Sequence, residues 1–421
     1  MRVLLATLGS HGDVLPFVGL GREFRDRGHD VVLFTNPAFR DCARDVGLDF
    51  VPVGAPEDCE ALFAACADGD ATRAFERVAR GYANACPAYV DAMRARVVAG
   101  DTIAIGNTML FAARLVGDVD GVPCATVHLA PSAFRSTIDP ARLTPRWIRA
   151  GTPAPIKRIA WWALDRFFYD PHFTAPLNRQ RAALGLAPVV RIFRDWIHEA
   201  DCVVGMFPEL FAPPPADWPP NLVLTDFPMV DRGDVAPLPT ALRDFLDAGT
   251  APVGFTAGTA TTSAGSFFEV ALDACRIAGI RGVLLTPDPR QVPRNLPRDV
   301  IHVEYAAHGA LLPRLAAFVH HGGIGTIAQS LRAAVPQLVR PVAYDQFDNA
   351  RHVAALGVAV EILPERFTAP AVAHALRSMA ADGALRERCR AVAARFEGAR
   401  AIARTCDAIV SRLAPMLRGG R

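Results

Sequence analysis

Two short stretches hold the residues best able to do chemistry. The first is His321-Gly322-Gly323-Ile324-Gly325-Thr326. Ala316 to Val319 ahead of it is an apolar run of strand length, the glycines break it, and Thr326 to Ala334 has the apolar spacing of a helix. A strand, a tight turn and a helix follow from that pattern. A helix N-terminus leaves backbone N–H groups without acceptors and carries roughly half a positive charge, so it binds phosphate without a lysine. Gly323, Gly325 and Thr326 would let a phosphate approach the backbone, and His321 can donate a further hydrogen bond to the same anion. The stretch reads as a diphosphate cradle. Gly258 and Thr259, just past the strand Val253 to Thr256, either touch the phosphates from the other wall or form a plain turn.

The second stretch is Gly9-Ser10-His11-Gly12-Asp13. It follows an apolar strand, Arg2 to Leu8, and precedes a helix expected over Pro16 to Arg27, with Pro at its first turn and Gly28 just past its end. With Val31 to Thr35 as the next strand this is a βαβ unit, so the loop lies at the carboxyl edge of a parallel sheet, where such folds place ligands. It lacks GxGxxG, which argues against a nicotinamide or flavin cofactor there. Asp13 is either a base or the cap of the following helix. A carboxylate with an ordinary pKa of about 3.9 must be desolvated or tightly positioned to take a proton from an alcohol. His11 is the rival base.

Strands and helices alternate through most of the chain, which predicts an α/β fold, and its 421 residues are enough for two domains. We place an N-terminal Rossmann-like domain at 1–228, a linker at 229–240 and a C-terminal Rossmann-like domain at 241–421. Residues 136–200 are rich in Trp, Phe, Pro and Arg and read as inserted helices. Trp161, Trp162, Phe167 and Phe168 in that insertion either line an apolar acceptor pocket, face a membrane or pack a core. In the second half, helices are expected near 263–278, 369–382 and 385–413, and strands at 253–256, 282–285, 300–303 and 316–319.

Composition excludes several classes. The net charge is +2, so nucleic acid binding has no electrostatic support. Lys157 is the only lysine, and it sits in TPAPIKR with nothing phosphate-binding nearby, which disfavours Schiff-base and pyridoxal-phosphate chemistry. The nine cysteines are scattered without a CxxC pair, so neither a disulfide framework nor a zinc site is expected. The N-terminus lacks a signal-peptide pattern, and no stretch approaches the roughly 20 apolar residues of a membrane span. The expected location is the cytoplasm, with weak peripheral association at the inner membrane surface as a further expectation.

The pattern HGGxGTxxQ, then Pro336, then DQxxN resembles the donor motif of the nucleotide-sugar glycosyltransferases of family 1, whose GT-B fold sets two Rossmann-like domains on either side of a central cleft. The resemblance implies an acceptor domain first, a nucleotide-sugar domain second, a last helix that packs back on the first domain, and closure about the linker. It assigns the diphosphate to His321, Gly323, Gly325 and Thr326, the sugar hydroxyls to Asp345 and Gln346, and the nucleobase to a stack on Tyr305. Where this chain has Gln329 the family usually has a Glu that binds the ribose hydroxyls, and the departure favours deoxythymidine over uridine. Many members carry a His where Asp13 stands, while a subset with GDV-type loops has Asp there. The Asp that steadies such a His is replaced here by Gly106-Asn107. No DxD-like motif sits on a strand end, so no metal ion or other cofactor is expected.

A narrower likeness runs through GDVLPFVGLGREFRDRGHD, RIFRDWIHEADCVVGMFPELF and AYDQFDNA, which resemble the bacterial rhamnosyltransferases of rhamnolipid synthesis. That likeness implies dTDP-L-rhamnose as donor, inversion, and a hydroxyalkanoyl lipid as acceptor. A UDP-sugar enzyme acting on a phenolic or polyketide product is the alternative, and a non-catalytic partner of another transferase is the alternative of a different class. A nucleotide-sugar 2-epimerase shares the architecture, but no matching acid and base pair is visible.

Overall fold

The computed structural model describes residues 1–58, 71–143, 148–230, 237–258, 265–396 and 398–418. Two compact units emerge, one formed by 1–230 with 398–421 and the other by 231–397. The middle of the expected linker, 231–236, and Thr259 lie outside the described residues.

The first unit runs β1 (Arg2–Ala6), α1 (His11–Asp26), β2 (Asp30–Thr35), α2 (Arg40–Asp45), β3 (Asp49–Pro52), α3 (Ala71–Arg94), β4 (Thr102–Asn107), α4 (Ala112–Asp120) and β5 (Cys124–His128). The insertion follows as α5 (Ala154–Leu164), a π-helical stretch (Asp165–Thr174) and α6 (Ala175–Ala183), then β6 (Cys202–Gly205) and β7 (Leu222–Leu224). All seven strands pair in parallel in the order β3-β2-β1-β4-β5-β6-β7. Helices on both faces explain why the central strands are apolar almost throughout rather than alternating. The order reverses between β1 and β4, and a ligand site in such a sheet lies at the carboxyl ends flanking that reversal.

The second unit runs α7 (Thr240–Asp247), β8 (Val253–Thr256), α8 (Gly265–Ala278), β9 (Gly282–Leu285), β10 (Val300–Val303), α9 (His308–Leu311), β11 (Ala317–His320), α10 (Ile324–Arg332), β12 (Gln337–Val339), α11 (Gln346–Ala355), β13 (Ala359–Glu361), α12 (Ala369–Ala381) and α13 (Leu385–Ala393). Its parallel sheet has the order β10-β9-β8-β11-β12-β13 and reverses between β8 and β11. The last helix, α14 (Ala401–Arg418), belongs to the first unit.

Three departures from the sequence reading have physical causes. The first helix begins at His11 rather than near Pro16, because Ser10 and Asp13 form a capping box that starts it one and a half turns earlier, with Pro16 inside. The helix expected over 385–413 is two helices, and the break falls beside Gly398, whose φ of +59° is left-handed. The short strands β12 and β13 and the helix α11 were not anticipated; strands of three residues, one of them buried throughout, carry too little period to separate strand from loop.

The core of the first unit joins both ends of the chain. Phe17, Leu20 and Phe24 of α1 and Cys406, Ile409 and Leu413 of α14 are fully buried in one cluster with Leu5 and Ile105 of the sheet. The Thr405 and Thr225 hydroxyls lie 2.9 Å apart, and Arg27 reaches Asp407 at 2.6 Å. Truncating a fully buried Ile leaves a cavity that costs about 2–5 kcal/mol. Ile409→Ala should therefore lower the denaturation midpoint without changing the slope in urea, and a loss under about 0.5 kcal/mol would contradict the packing described.

Candidate active site

In the first unit the residues flanking the reversal form a hydrogen-bonded frame around Asp13. Asp13 Oδ2 accepts from the Ser10 backbone N–H at 2.8 Å and from Ser10 Oγ at 2.9 Å, and Gly12 N–H donates to Ser10 Oγ at 3.2 Å. The carboxylate occupies the space where a Cβ on residue 9 would stand, and Gly9 has φ +131°, so only glycine fits there. Thr7 Oγ1 donates to the Asp13 carbonyl at 3.0 Å and accepts from Asn107 Nδ2 at 3.3 Å. Asn107 Nδ2 and Tyr82 Oη both donate to the Leu8 carbonyl, at 3.1 and 2.8 Å. Oδ1 of Asp13 has no protein donor among the described residues and is the oxygen left to take a proton.

Burial raises the Asp13 pKa above the ordinary carboxylate value, and the two bonds from Ser10 only partly oppose this. A higher pKa makes it a better base than an exposed aspartate. His11, two residues away, meets the Phe39 ring edge-on at 5.1 Å.

In the second unit the residues after β8 and β11 face the other reversal. Gly322 N–H, which can only donate, bonds His320 Nδ1 at 3.1 Å, so the His320 proton sits on Nε2 and donates to Gln337 Oε1 at 3.0 Å. Burial pushes His320 down to about 3, which keeps it neutral as a strut under the turn. Gly322 has φ +89°, and a Cβ there would meet Val339 at 2.9 Å and the Gln346 carbonyl at 3.2 Å. Gly323 is the N-cap of α10 and makes no side-chain cap, so the first-turn N–H groups are left for a ligand.

The His321 ring lies between two glycines: a Cβ would stand 2.6 Å from it at Gly258 and 2.5 Å from its Nε2 at Gly323. Among the described residues its buried Nδ1 has no partner. Burial and the nearby His308 hold His321 down to about 4, so at neutral pH it is an uncharged donor, not a cation. Gly325 and Thr326 fall in the first turn of α10, and Gln329, one turn on from Gly325, is buried on the same helix face.

The DQxxN segment ties into the same turn. Asn349 Nδ2 donates to Asp345 Oδ2 at 2.7 Å and to the Gly322 carbonyl at 3.1 Å. Gln346 Oε1 accepts from the Val342 and Ala343 N–H groups at 2.8 and 3.1 Å, leaving its amide N–H2 to donate elsewhere. Tyr344 holds φ +54°, a strained value for a bulky residue and the kind of outlier found beside ligand sites. Tyr305, just past β10, is 54% exposed and so is not a core tyrosine.

The four aromatics of the insertion do not form one wall. Trp161 donates through Nε1 to the Ser136 carbonyl and lies under the Arg135 guanidinium at 4.6 Å, and Phe168 stacks on Phe75 at 4.2 Å. Trp162 and Phe167 touch each other at 5.8 Å and are 60% and 69% exposed. The apolar cavity in this region is lined instead by Tyr82, Cys86, Met109, Phe111, Phe173 and Leu177. Lys157 is buried, its ammonium donating to the Thr137 and Ala150 carbonyls at 2.7 and 2.6 Å, a structural strut. The seven described cysteines are buried free thiols, and no described group of three His, Cys, Asp or Glu is arranged to hold a metal ion. Among the described residues no helix is long and apolar enough to cross a membrane.

Several residues of these frames were not singled out from sequence, and Thr7, Tyr82 and Gln337 carried no signal. Ser10 had a readable signal, the S-x-x-D spacing of a capping box. Asn107 was visible only as a missing carboxylate, Asn349 only as part of DQxxN, and His320 only as the neighbour of His321.

Gly323→Ala isolates the clamp, because φ −61° at this position suits alanine and the only conflict is with the His321 ring. Displacing that ring removes a hydrogen bond to a charged ligand, worth about 1.5–3 kcal/mol, so affinity for a nucleoside diphosphate should fall about 10- to 100-fold by calorimetry. Unchanged affinity would mean that His321 does not face the anion.

Known proteins resemble the chain in both units. Residues 3–136 match the glycosyltransferase family 28 N-terminal domain, and residues 281–411 match the erythromycin biosynthesis protein CIII-like C-terminal domain. The chain is 30% identical to O-mycaminosyltylonolide 6-deoxyallosyltransferase of Streptomyces fradiae, with 96% of each protein covered. It is 32% identical to vancomycin aglycone glucosyltransferase of Amycolatopsis orientalis, over 86% of this chain and 85% of that one. Among solved structures, the kitacinnamycin glycotransferase superposes with a TM-score of 0.77 at 18% identity, covering 98% of this chain and 99% of the other, which establishes the shared fold. With a relative of that identity aligned over nearly all of both chains, this protein belongs to the GT-B glycosyltransferases of the family 1 and family 28 kind, and it is a glycosyltransferase.

Proposed function

We propose that the protein is an inverting glycosyltransferase that moves a 6-deoxyhexose, L-rhamnose first among those to test, from its dTDP conjugate to a hydroxyl of a large apolar natural product. The observation that carries the reading is the uncapped turn at 322–326 with the unpartnered Nδ1 of His321 beside it, a site made for an anion. In this reading the acceptor hydroxyl gives its proton to Asp13 Oδ1 and its oxygen attacks the anomeric carbon from the face opposite the diphosphate. The bond from that carbon to the diphosphate breaks, and the nucleoside diphosphate leaves with its charge held by His321 and the N–H groups at Gly323 to Thr326. Asp345 and the N–H2 of Gln346 hold the sugar. The step balances without a metal ion.

The donor nucleotide is argued from Gln329 and Tyr305. A neutral amide makes weaker bonds to ribose hydroxyls than a carboxylate does, and deoxyribose has one hydroxyl fewer to hold. Tyr305 lies just past β10, three strands from β11, and strands about 4.8 Å apart put it roughly 14 Å from the cradle, in the range a nucleotide spans from base to diphosphate. The 6-deoxy sugar is supported by the relative from Streptomyces fradiae, named as a 6-deoxyallosyltransferase, and a natural-product acceptor by the tylonolide and vancomycin aglycone in the relatives' names. L-rhamnose itself, and a hydroxyalkanoyl lipid as the competing acceptor, rest on sequence resemblance. A UDP-hexose is the second donor reading, favoured by the capacity of the Gln329 amide to bond both ribose hydroxyls.

Transfer is tested by incubating the protein with dTDP-L-rhamnose or UDP-glucose against a macrolide aglycone and a 3-hydroxyalkanoyl lipid, reading products by mass and anomeric configuration by NMR. Inverted product on the macrolide from the dTDP sugar is expected. Product from UDP-glucose alone would overturn the donor, product on the lipid alone would overturn the acceptor, and retention would overturn the mechanism.

Asp13→Asn should reduce transfer about 10²- to 10⁴-fold while nucleotide affinity stays within twofold. Its stability follows from linkage. Because the folded pKa is raised, the native state binds the proton more tightly than the unfolded chain, so ionising Asp13 costs stability as pH rises from its ordinary value of 3.8 through the raised one. The neutral amide avoids that cost, so the melting temperature at pH 7 should be equal or higher. Active Asp13→Asn enzyme would place the base elsewhere, with His11 next.

A further inference from the structure

The cradle described so far carries no formal positive charge. The end of α10 supplies roughly half a charge and His321 is neutral at pH 7, whereas a nucleoside diphosphate brings at least two negative charges. We propose that Arg340 supplies the missing cation, its guanidinium pairing with the donor diphosphate. The proposal rests on reading the 321–326 turn as the diphosphate site and adds to it a residue from the neighbouring strand.

Arg340 is the first residue past β12, and its N–H donates to the His320 carbonyl at 2.8 Å, so its backbone sits beside the strand end that carries His321. Val339 packs toward Gly322, on the α10 side of the sheet. Alternation therefore sends Arg340 to the opposite face, where its Cζ lies 5.4 Å from the Phe367 ring. Phe367 in turn stacks on Phe267 at 5.3 Å, in the first turn of α8, the helix that begins after Gly258. The guanidinium is thus placed near the carboxyl ends of β11 and β12 on the side of the Gly258 loop.

Among the described residues no protein group neutralises it there. Nε is buried without a hydrogen-bond partner, and Arg340 makes no ion pair among the described residues. Glu361, the nearest carboxylate on the adjoining strand, registers with Val339 and so falls on the other face. Asp348 on α11 is taken by Arg351 and His352. Burial accordingly lowers the Arg340 pKa. A partly buried arginine left unpaired destabilises a fold, and a planar fork of N–H donors is the group best matched to phosphate oxygens. The bound diphosphate is the partner that relieves the first and uses the second.

Arg340→Met keeps the length and apolar stem over Phe367 and removes the charge. Calorimetry with dTDP should show about a 10- to 100-fold loss of affinity, while thymidine binding followed by NMR stays within twofold and the melting temperature of the unliganded protein is unchanged or higher. Arg340→Lys should restore part of the dTDP affinity. Equal dTDP affinity in Arg340→Met and wild type would overturn the proposal while leaving the cradle intact. A lower melting temperature with thymidine and dTDP weakened alike would overturn it in favour of a structural role. Wild type that binds neither dTDP nor UDP would remove the cradle reading and this inference together.

Discussion

The chemistry of this protein depends on how two helix N-termini are satisfied. Both α1 and α10 begin at the carboxyl edge of a parallel sheet, beside the point where strand order reverses. A helix start exposes unpaired N–H groups and a partial positive charge, and something must answer them. In α1 the answer is internal: Ser10 and Asp13 close a capping box, which fixes a carboxylate at the sheet edge. In α10 the cap is Gly323, which has no side chain to give, so the donors stay open to an anion from outside. On the reading proposed above, the same local physics gives a base in one unit and a phosphate site in the other.

Supporting residues keep each arrangement rigid. Asn107, Thr7 and Tyr82 hold the 7–10 backbone so that the Asp13 carboxylate can occupy the space left by Gly9. Neutral His320 and Asn349 hold the Gly322 turn from two sides. None of these side chains needs to touch a substrate. Their hydrogen bonds fix where the reactive groups stand, and a displacement of about 1 Å in such a group costs roughly 10²-fold in rate.

Much of the fold was legible because apolar runs of strand length and amphipathic helices take turns along the chain. The α/β alternation, the glycine turn at 321–326 and the helical insertion could all be read before any coordinates. Short elements could not: β12 and β13 have three residues each, and the start of α1 was misplaced because Pro16 is a stronger local signal than the Ser10 cap. For the site, residue types were legible and commitments were not. Sequence offered Asp13 as a base or a cap, and the geometry shows that one oxygen caps while the other is left unbonded among the described residues. Trp161, Trp162, Phe167 and Phe168 looked alike as an aromatic run, yet a helix sends neighbours in different directions, and two face inward while two face outward. Arg340 gave no signal at all, since a lone arginine after a strand becomes notable only when the described residues around it hold no anion to pair with it.

The central claim is that backbone N–H groups and a neutral histidine hold a diphosphate without a metal ion. Titrating the full chain with dTDP by calorimetry in excess EDTA, then repeating the titration with Mg²⁺ in place of the chelator, tests it most directly. Saturable one-to-one binding is expected in EDTA, with an affinity that Mg²⁺ changes by less than about threefold. Heat that appears only when the metal ion is present would contradict it.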